Sequence, residues 1–188
     1  MKGAALFLCA IVSLCHAPVA AACAADAGLS TVLLTPAPAF PCHWLFRLDG
    51  GRDKLNISTT LRDAAGDLLP DCEVVAEFVP LVGSAFACTP IVTATTNTAG
   101  VAGFSYSKVG GCGTFEIVVT SGAIVLETLG PYPMTSPDLN GDGVVGVIDL
   151  GRWASCLANW CRCADYNCDG IVNIIDLGVW AGGLGNIC

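Results

Sequence analysis

Positive charge is in short supply in this chain. Eight lysines and arginines face sixteen aspartates and glutamates, and charged residues make up only 13% of the sequence. An acidic chain of this kind carries no electrostatic footprint for nucleic acid, so that partner class is excluded. Histidine is scarcer still, with only His16 and His43. Nothing local orients His43 as a base, so Ser-His-Asp chemistry has no starting point. Between about Leu29 and Gly130 there is no ten-residue helical period, which excludes a helical domain there. Beyond the first residues no apolar run is long enough to span a bilayer.

Those first residues have a pattern of their own. Lys2 precedes an apolar run from Ala4 to Leu14, and small residues follow from Ala20 to Ala25. A charged start, an apolar centre and a small-residue cleavage zone predict a secretory signal over residues 1–24, cut after Ala22 or Ala24. The expected destination is the exterior or the cell surface. Ala20-Ala21-Ala22-Cys23 also loosely resembles a lipoprotein box, so membrane attachment is expected only if Cys23 carries lipid. A cut after Ala22 moves the formal charge from −8 to −9 and leaves ten of the twelve cysteines. In an exported chain these read as disulfide partners rather than zinc ligands.

From Leu29 to Gly130, short alternating or β-branched runs are separated by turn residues. Strands are expected at 30–34, 44–48, 54–62, 73–79, 91–96, 101–107, 114–120 and 123–128. Turns are expected at 49–51, 65–67, 97–100 and 109–111. Strands at this spacing predict an antiparallel β-sandwich over residues 25–130. Four cysteines fall inside it, and the choice made among their pairings is Cys88 with Cys112, closing the open ends of the 91–107 hairpin. Glu73 and Glu77 share one face of one strand, a solvent-facing acidic stripe rather than the opposed carboxylate pair of a glycosidase. No catalytic residues are assigned. Trp44 is the one candidate for stacking on a sugar, against the commoner role of a core tryptophan.

KLNISTTLRDAAGDLLPDCEVVAEF, TATTNTAGVAGFSYS and GTFEIVVTSG resemble the immunoglobulin-like domains of bacterial surface proteins. The resemblance covers most of residues 54–122 and rests on turn and core positions. It implies a spacer or display module.

Residues 131–137 contain three prolines, Pro131, Pro133 and Pro137, and are expected to be an extended linker. Beyond it lie two copies of one unit. Residues 138–149 read DLNGDGVVGVID and residues 165–176 read DYNCDGIVNIID, and an offset of 27 also carries Leu150, Gly151, Trp153 and Leu157 onto Leu177, Gly178, Trp180 and Leu184. Oxygen-bearing side chains fall at loop positions 1, 3, 5 and 12, glycine at 6, and only a carbonyl is available at 7. That is the spacing with which a chain collects oxygens around calcium. The ligands expected are Asp138, Asn140, Asp142, Asp149 and the Val144 carbonyl in one loop. In the other they are Asp165, Asn167, Asp169, Asp176 and the Ile171 carbonyl. At position 9, Gly146 has no side chain and Asn173 can reach directly or through water. Two calcium ions per chain follow; magnesium wants a stricter octahedron and zinc wants imidazole or thiolate.

Val145 and Val172 are expected to join the loops in a short bridge. Leu150, Trp153, Ala154 and Leu157, with their counterparts Leu177, Trp180, Ala181 and Leu184, predict two short helices that bury one stripe each. Metal binding and folding are then one event, so a chelator is expected to melt residues 138–188 and spare the sandwich. Five cysteines lie in this region, and Cys161 or Cys163 bridging to Cys188 would staple its ends. The odd one is left for Cys23 or another chain.

A loop followed by one helix, given twice, resembles a type I dockerin; DLNGDGVVGVIDLGRWASCL and DYNCDGIVNIIDLGVWAGGLG carry the likeness across nearly all of 138–188. The resemblance implies a module that attaches to a cohesin-like extracellular protein through positions 10 and 11 and the helices. Here those positions are Val147, Ile148, Ile174 and Ile175, apolar where many dockerins have hydroxyls. The expected function is a secreted, non-catalytic, calcium-binding attachment protein with the sandwich as spacer. The alternatives are a carbohydrate-binding accessory and a purely structural, calcium-stabilised surface protein.

Overall fold

A computed structural model describes residues 23–35, 42–88, 91–157 and 161–188; nearly all of the expected signal segment lies outside them. The described chain is mainly β. Its strands are β1 (Thr31–Thr35), β2 (Trp44–Leu45), β3 (Leu55–Thr60), β4 (Glu73–Pro80), β5 (Ala85–Ala87), β6 (Ile91–Thr95), β7 (Val101–Tyr106), β8 (Gly110–Ser121) and β9 (Ile124–Thr135). The helices α1 (Val147–Cys156) and α2 (Ile174–Ala181) follow, with a single 3-10 turn at Arg162–Ala164 between them.

Two sheets form, one in the order β1-β3-β7 and one in the order β2-β9-β8-β4-β6, with β5 also paired to β8. All pairings are antiparallel except β2 with β9, where Trp44 lies opposite Met134. Period-two alternation decides which side chains go inside. Val74, Ala76 and Phe78 of β4 are buried while Glu73 and Glu77 point out, which bears out the solvent-facing stripe. Leu55, Ile57, Phe104 and Tyr106 of the first sheet meet Val74, Phe78, Phe115 and Ile117 of the second in one core. Phe78 stacks on Phe115 with centroids 4.2 Å apart, and the Tyr106 hydroxyl donates to the Ala76 carbonyl across the sheets.

The turn expected at 65–67 lies slightly earlier, at Asp63–Gly66, and the one expected at 97–100 is present as Asn97–Gly100. In each, the first side chain accepts backbone N–H groups and the glycine closes the turn. Two expectations here need correction. Gly110 and Gly111 of the turn expected at 109–111 open β8 instead, because Gly111 and Gly113 let β5 approach where a Cβ would strike Ala85 or Ser84. The expected linker 131–137 mostly belongs to β9, which continues to Thr135. Pro133 pairs with Thr114 beside a register shift, where the ladder tolerates a missing N–H. Trp44 is buried and stacks on Phe46, which is the commoner core role and leaves no face to a sugar.

A second core joins the sandwich to the C-terminal unit. Leu45 and Leu48 pack with Leu139, Val145, Trp153, Ala164, Tyr166 and Trp180. Three disulfides cross the same boundary: Cys42–Cys168, Cys88–Cys188 and Cys112–Cys163. Cys23–Cys72 lies within the sandwich and Cys156–Cys161 within the C-terminal unit. These pairings replace the expected Cys88–Cys112 bridge and the expected staple from Cys161 or Cys163 to Cys188. The odd count of cysteines after residue 138 is resolved because three of the five pair with the sandwich. Five bridges fit an oxidising environment. Among the described residues no helix is long and apolar enough to cross a membrane.

Candidate metal centre

The two loops fold alike, residue by residue. Asp138, at position 1, accepts N–H donors from Gly141 at 2.9 Å and Asp142 at 3.2 Å on one oxygen and from Gly143 at 2.9 Å on the other. Asp165 does the same with Asp169 at 3.1 Å and Gly170 at 2.9 Å. The position 5 carboxylates, Asp142 and Asp169, accept from the amides of Val144 at 2.9 Å and Ile171 at 2.8 Å. The side-chain amides of Asn140 and Asn167 donate to those carboxylates at 2.6 and 2.8 Å. Gly143 and Gly170 take φ of +88° and +84°, a conformation glycine adopts without a Cβ clash.

Position 12 has two tasks. Asp149 accepts from Asn140 N at 3.0 Å and from Gly146 N at 2.8 Å, closing the loop and capping the start of α1. Asp176 accepts from Tyr166 N at 2.8 Å and Asn173 N at 2.9 Å, doing so for α2. Asn173 is the N-cap of α2, where its side-chain oxygen accepts from Ile175 N at 2.8 Å. That oxygen is therefore engaged by the helix. The Ile171 carbonyl accepts from Asn173 Nδ2 at 3.3 Å, and both Val144 and Ile171 are exposed.

Electrostatics make these loops unusual. Asp138, Asp149, Asp165 and Asp176 are all at most 3% exposed, yet the one ion pair among the described residues is Arg47–Asp49. Burial raises the Asp138 carboxyl above its ordinary range, and Asp149 and Asp142 push it the same way against the N–H donors. Buried acids without a cationic side chain are costly, and an oxygen-only donor set suits a hard cation. The side chains present fit calcium. Within each loop the carboxylate oxygens are more open than a cluster with all members inside 4.8 Å of one another.

Tyr166 lies between the loops, fully buried, with its hydroxyl donating to the Ser136 carbonyl at 3.5 Å. Burial and the neighbouring Asp149, Asp176 and Asp138 hold its phenol far above the ordinary tyrosine range. Tyr166 and its repeat equivalent Leu139 went unassigned in the sequence, although both are apolar at position 2 of their loops, which is the signal that could have found them. The expected bridge between Val145 and Val172 is absent. Instead the chain end runs antiparallel to the first loop, with Val145 N donating to Asn186 O at 2.9 Å and Val144 opposite Ile187.

The loops are seated on the sandwich differently. The first presses on β8 and β5: Gly111 N donates to Asp138 O at 2.6 Å, and a Cβ on Gly110 would stand 2.1 Å from Asp138 Oδ2. The second is tied at position 4 by Cys168. The helices bury Trp153 and Trp180, with Leu150 and Leu177 half-buried, while Ala154, Leu157, Ala181 and Leu184 are exposed. The expected stripe is thus shorter than drawn, because each helix spans only its first turns on the second core. Val147, Ile148, Ile174 and Ile175 are between 58% and 78% exposed and do not dock on the sandwich.

Comparison with protein-family profiles and with curated protein sequences finds no match. Among solved structures, a crystal structure of the Lin-41 filamin domain aligns with 19% identity over 61% of this chain and 98% of that chain, at a TM-score of 0.35. At that TM-score the match adds nothing to the architecture described above.

Proposed function

We propose that this is an exported, non-catalytic protein whose C-terminal unit, dockerin-like, binds two calcium ions and attaches the chain to an extracellular cohesin-like partner. The sandwich, read as immunoglobulin-like, serves as spacer or display domain. One observation carries the ion reading: four buried carboxylates, two at corresponding positions of each repeat, have backbone donors and no cationic side chain. Asp138, Asn140, Asp142 and Asp149 would hold one ion, and Asp165, Asn167, Asp169 and Asp176 the other. A bound cation offsets the repulsion within each loop and fixes its shape.

The attachment reading draws on Val147, Ile148, Ile174 and Ile175. Exposed apolar residues at the starts of two helices suit an apolar partner surface. Their exposure leaves them available to a second molecule, whereas burial against the sandwich would have favoured a purely structural role.

Calcium titration by calorimetry of the mature protein tests the ion reading, with two ions expected. Asp138→Asn and Asp165→Asn should each remove or weaken one. Capture of extracellular proteins from the source organism, with calcium and with chelator, tests attachment. Ion binding without any calcium-dependent partner would leave the structural alternative standing.

A further inference from the structure

We propose that the Cys42–Cys168 bridge is a thiol-exchange site, opened by a low-molecular-weight thiol, that acts as a latch on the second loop. Cys168 sits at position 4 of that loop, between Asn167 and Asp169, and Cys42 lies just ahead of β2 in the sandwich. The bridge is therefore a covalent strap from one domain into the other's loop.

Its surroundings differ from those of the other bridges. Among the described residues, it alone has an imidazole against its sulfurs. His43 Nδ1 stands 2.9 Å from Cys42 Sγ and 3.5 Å from Cys168 Sγ, and Nε2 stands 3.8 Å from the latter. Arg162 donates to the Cys42 carbonyl, setting a fixed positive charge near the sulfur that would depart. Both cysteines are half-buried, as are most of the other bridged cysteines, so the imidazole and not exposure sets this bridge apart. A cavity of about 110 Å³ opens beside the ring, lined by His43, Arg162 and Met134 together with Cys112 and Cys163 of the neighbouring bridge, so access does not separate the two bridges and the imidazole does.

The loop itself favours release. Cys168 holds φ of +61°, where a side chain with a Cβ is strained. The equivalent residue of the first loop is Gly141, at φ +68° without that cost. Cys88 shares a positive φ of +57° but has no imidazole at its sulfur among the described contacts.

The exchange balances as follows. An incoming thiolate attacks Cys168 Sγ and the S–S bond breaks. The electron pair passes to Cys42 Sγ, which is reduced, while the incoming sulfur is oxidised into a mixed disulfide on Cys168. Solvent supplies a proton to the Cys42 sulfur, whose S–H then donates to His43 Nδ1. A second thiolate attacks the mixed disulfide at the incoming sulfur, leaving as a small disulfide and releasing Cys168 as a thiolate. Loss of the strap lets Cys168 leave its strained φ and loosens the ligands on either side. That last consequence rests on the calcium reading above.

The test uses the mature, oxidised protein titrated with reduced glutathione, quenched by alkylation and mapped by mass spectrometry. Cys42 and Cys168 should be labelled at about tenfold lower thiol than the other cysteines. Amide exchange should rise in 165–176 and not in 138–149. Labelling of another pair first, or an unchanged second loop once Cys42 and Cys168 are labelled, overturns the latch. His43→Asn, which keeps an acceptor near the sulfur, should preserve the order of labelling, and His43→Phe should abolish it. Should the phenylalanine variant not fold, the wild-type order and the asparagine variant still decide. With Cys42 and Cys168 alkylated, calorimetry should show one ion weakened about tenfold and the other unchanged; two unchanged ions overturn the latch. An oxidised protein that binds no calcium sinks the ion reading instead, and the order of labelling then decides the exchange site by itself.

Discussion

Gly110 shows how one missing methyl group can govern a proposed ion site from another domain. Its hydrogen faces Asp138 Oδ2, and an added Cβ would lie 2.1 Å from that oxygen. Gly110→Ala must therefore displace the position 1 carboxylate or shift β8, at a typical cost of about 1–3 kcal/mol. Calorimetry is expected to show the first ion weakened about tenfold and the second unaffected. His43 gives a second prediction at this scale. Burial first, and then Arg162, lowers its pKa from 6.5 to about 4. The unfolded chain binds the proton more readily, so the stability His43 contributes is complete above pH 6.5 and is lost as pH falls towards 4. The loss is on the order of 2–3 kcal/mol, and denaturant melts at pH 7 and pH 4.5 should differ more for wild type than for His43→Gln.

Among the elements, the two helices divide their apolar residues unequally. Trp153 and Trp180 are each 5% exposed in the second core, whereas Leu157 and Leu184 are more than half exposed. Replacing either tryptophan by alanine should cost about 3–5 kcal/mol in denaturant unfolding. Leu157→Ala and Leu184→Ala should stay within about 0.5 kcal/mol. Equal losses across all four would mean that the helices bury the longer stripe that their periodicity implies. The strands were mostly legible in advance because their alternation has a local cause. β5 was not, since Ala85-Phe86-Ala87 has no pattern of its own and forms a strand only where the glycines of β8 admit it.

For the whole molecule, the disulfides change what a chelator is expected to do. Residues 138–188 were expected to melt alone, but three bridges and a shared apolar core tie them to the sandwich. Each bridge restricts the unfolded chain by about 3–5 kcal/mol in the chain-entropy account. Chelator on oxidised protein should therefore leave most of the helical circular dichroism in place, and chelator with reductant should remove it. Full loss of helix in the oxidised, chelated protein would restore the earlier expectation. The bridges also bear on export: Cys23 is paired with Cys72, so the mature chain is expected to begin at or before Cys23, which N-terminal sequencing checks.

By itself, the sequence determined the strands of the sandwich, the paired loops and the oxygens each loop offers, because alternation and ligand spacing are properties of adjacent residues. Asn97 named its own turn for the same reason. The pairing of cysteines, the burial of Trp44, the seating of Asp138 on Gly110 and the placing of His43 against Cys168 were decided by tertiary structure. Each depends on which distant segments meet. A cysteine or a glycine looks the same in the sequence whichever neighbour folding brings to it.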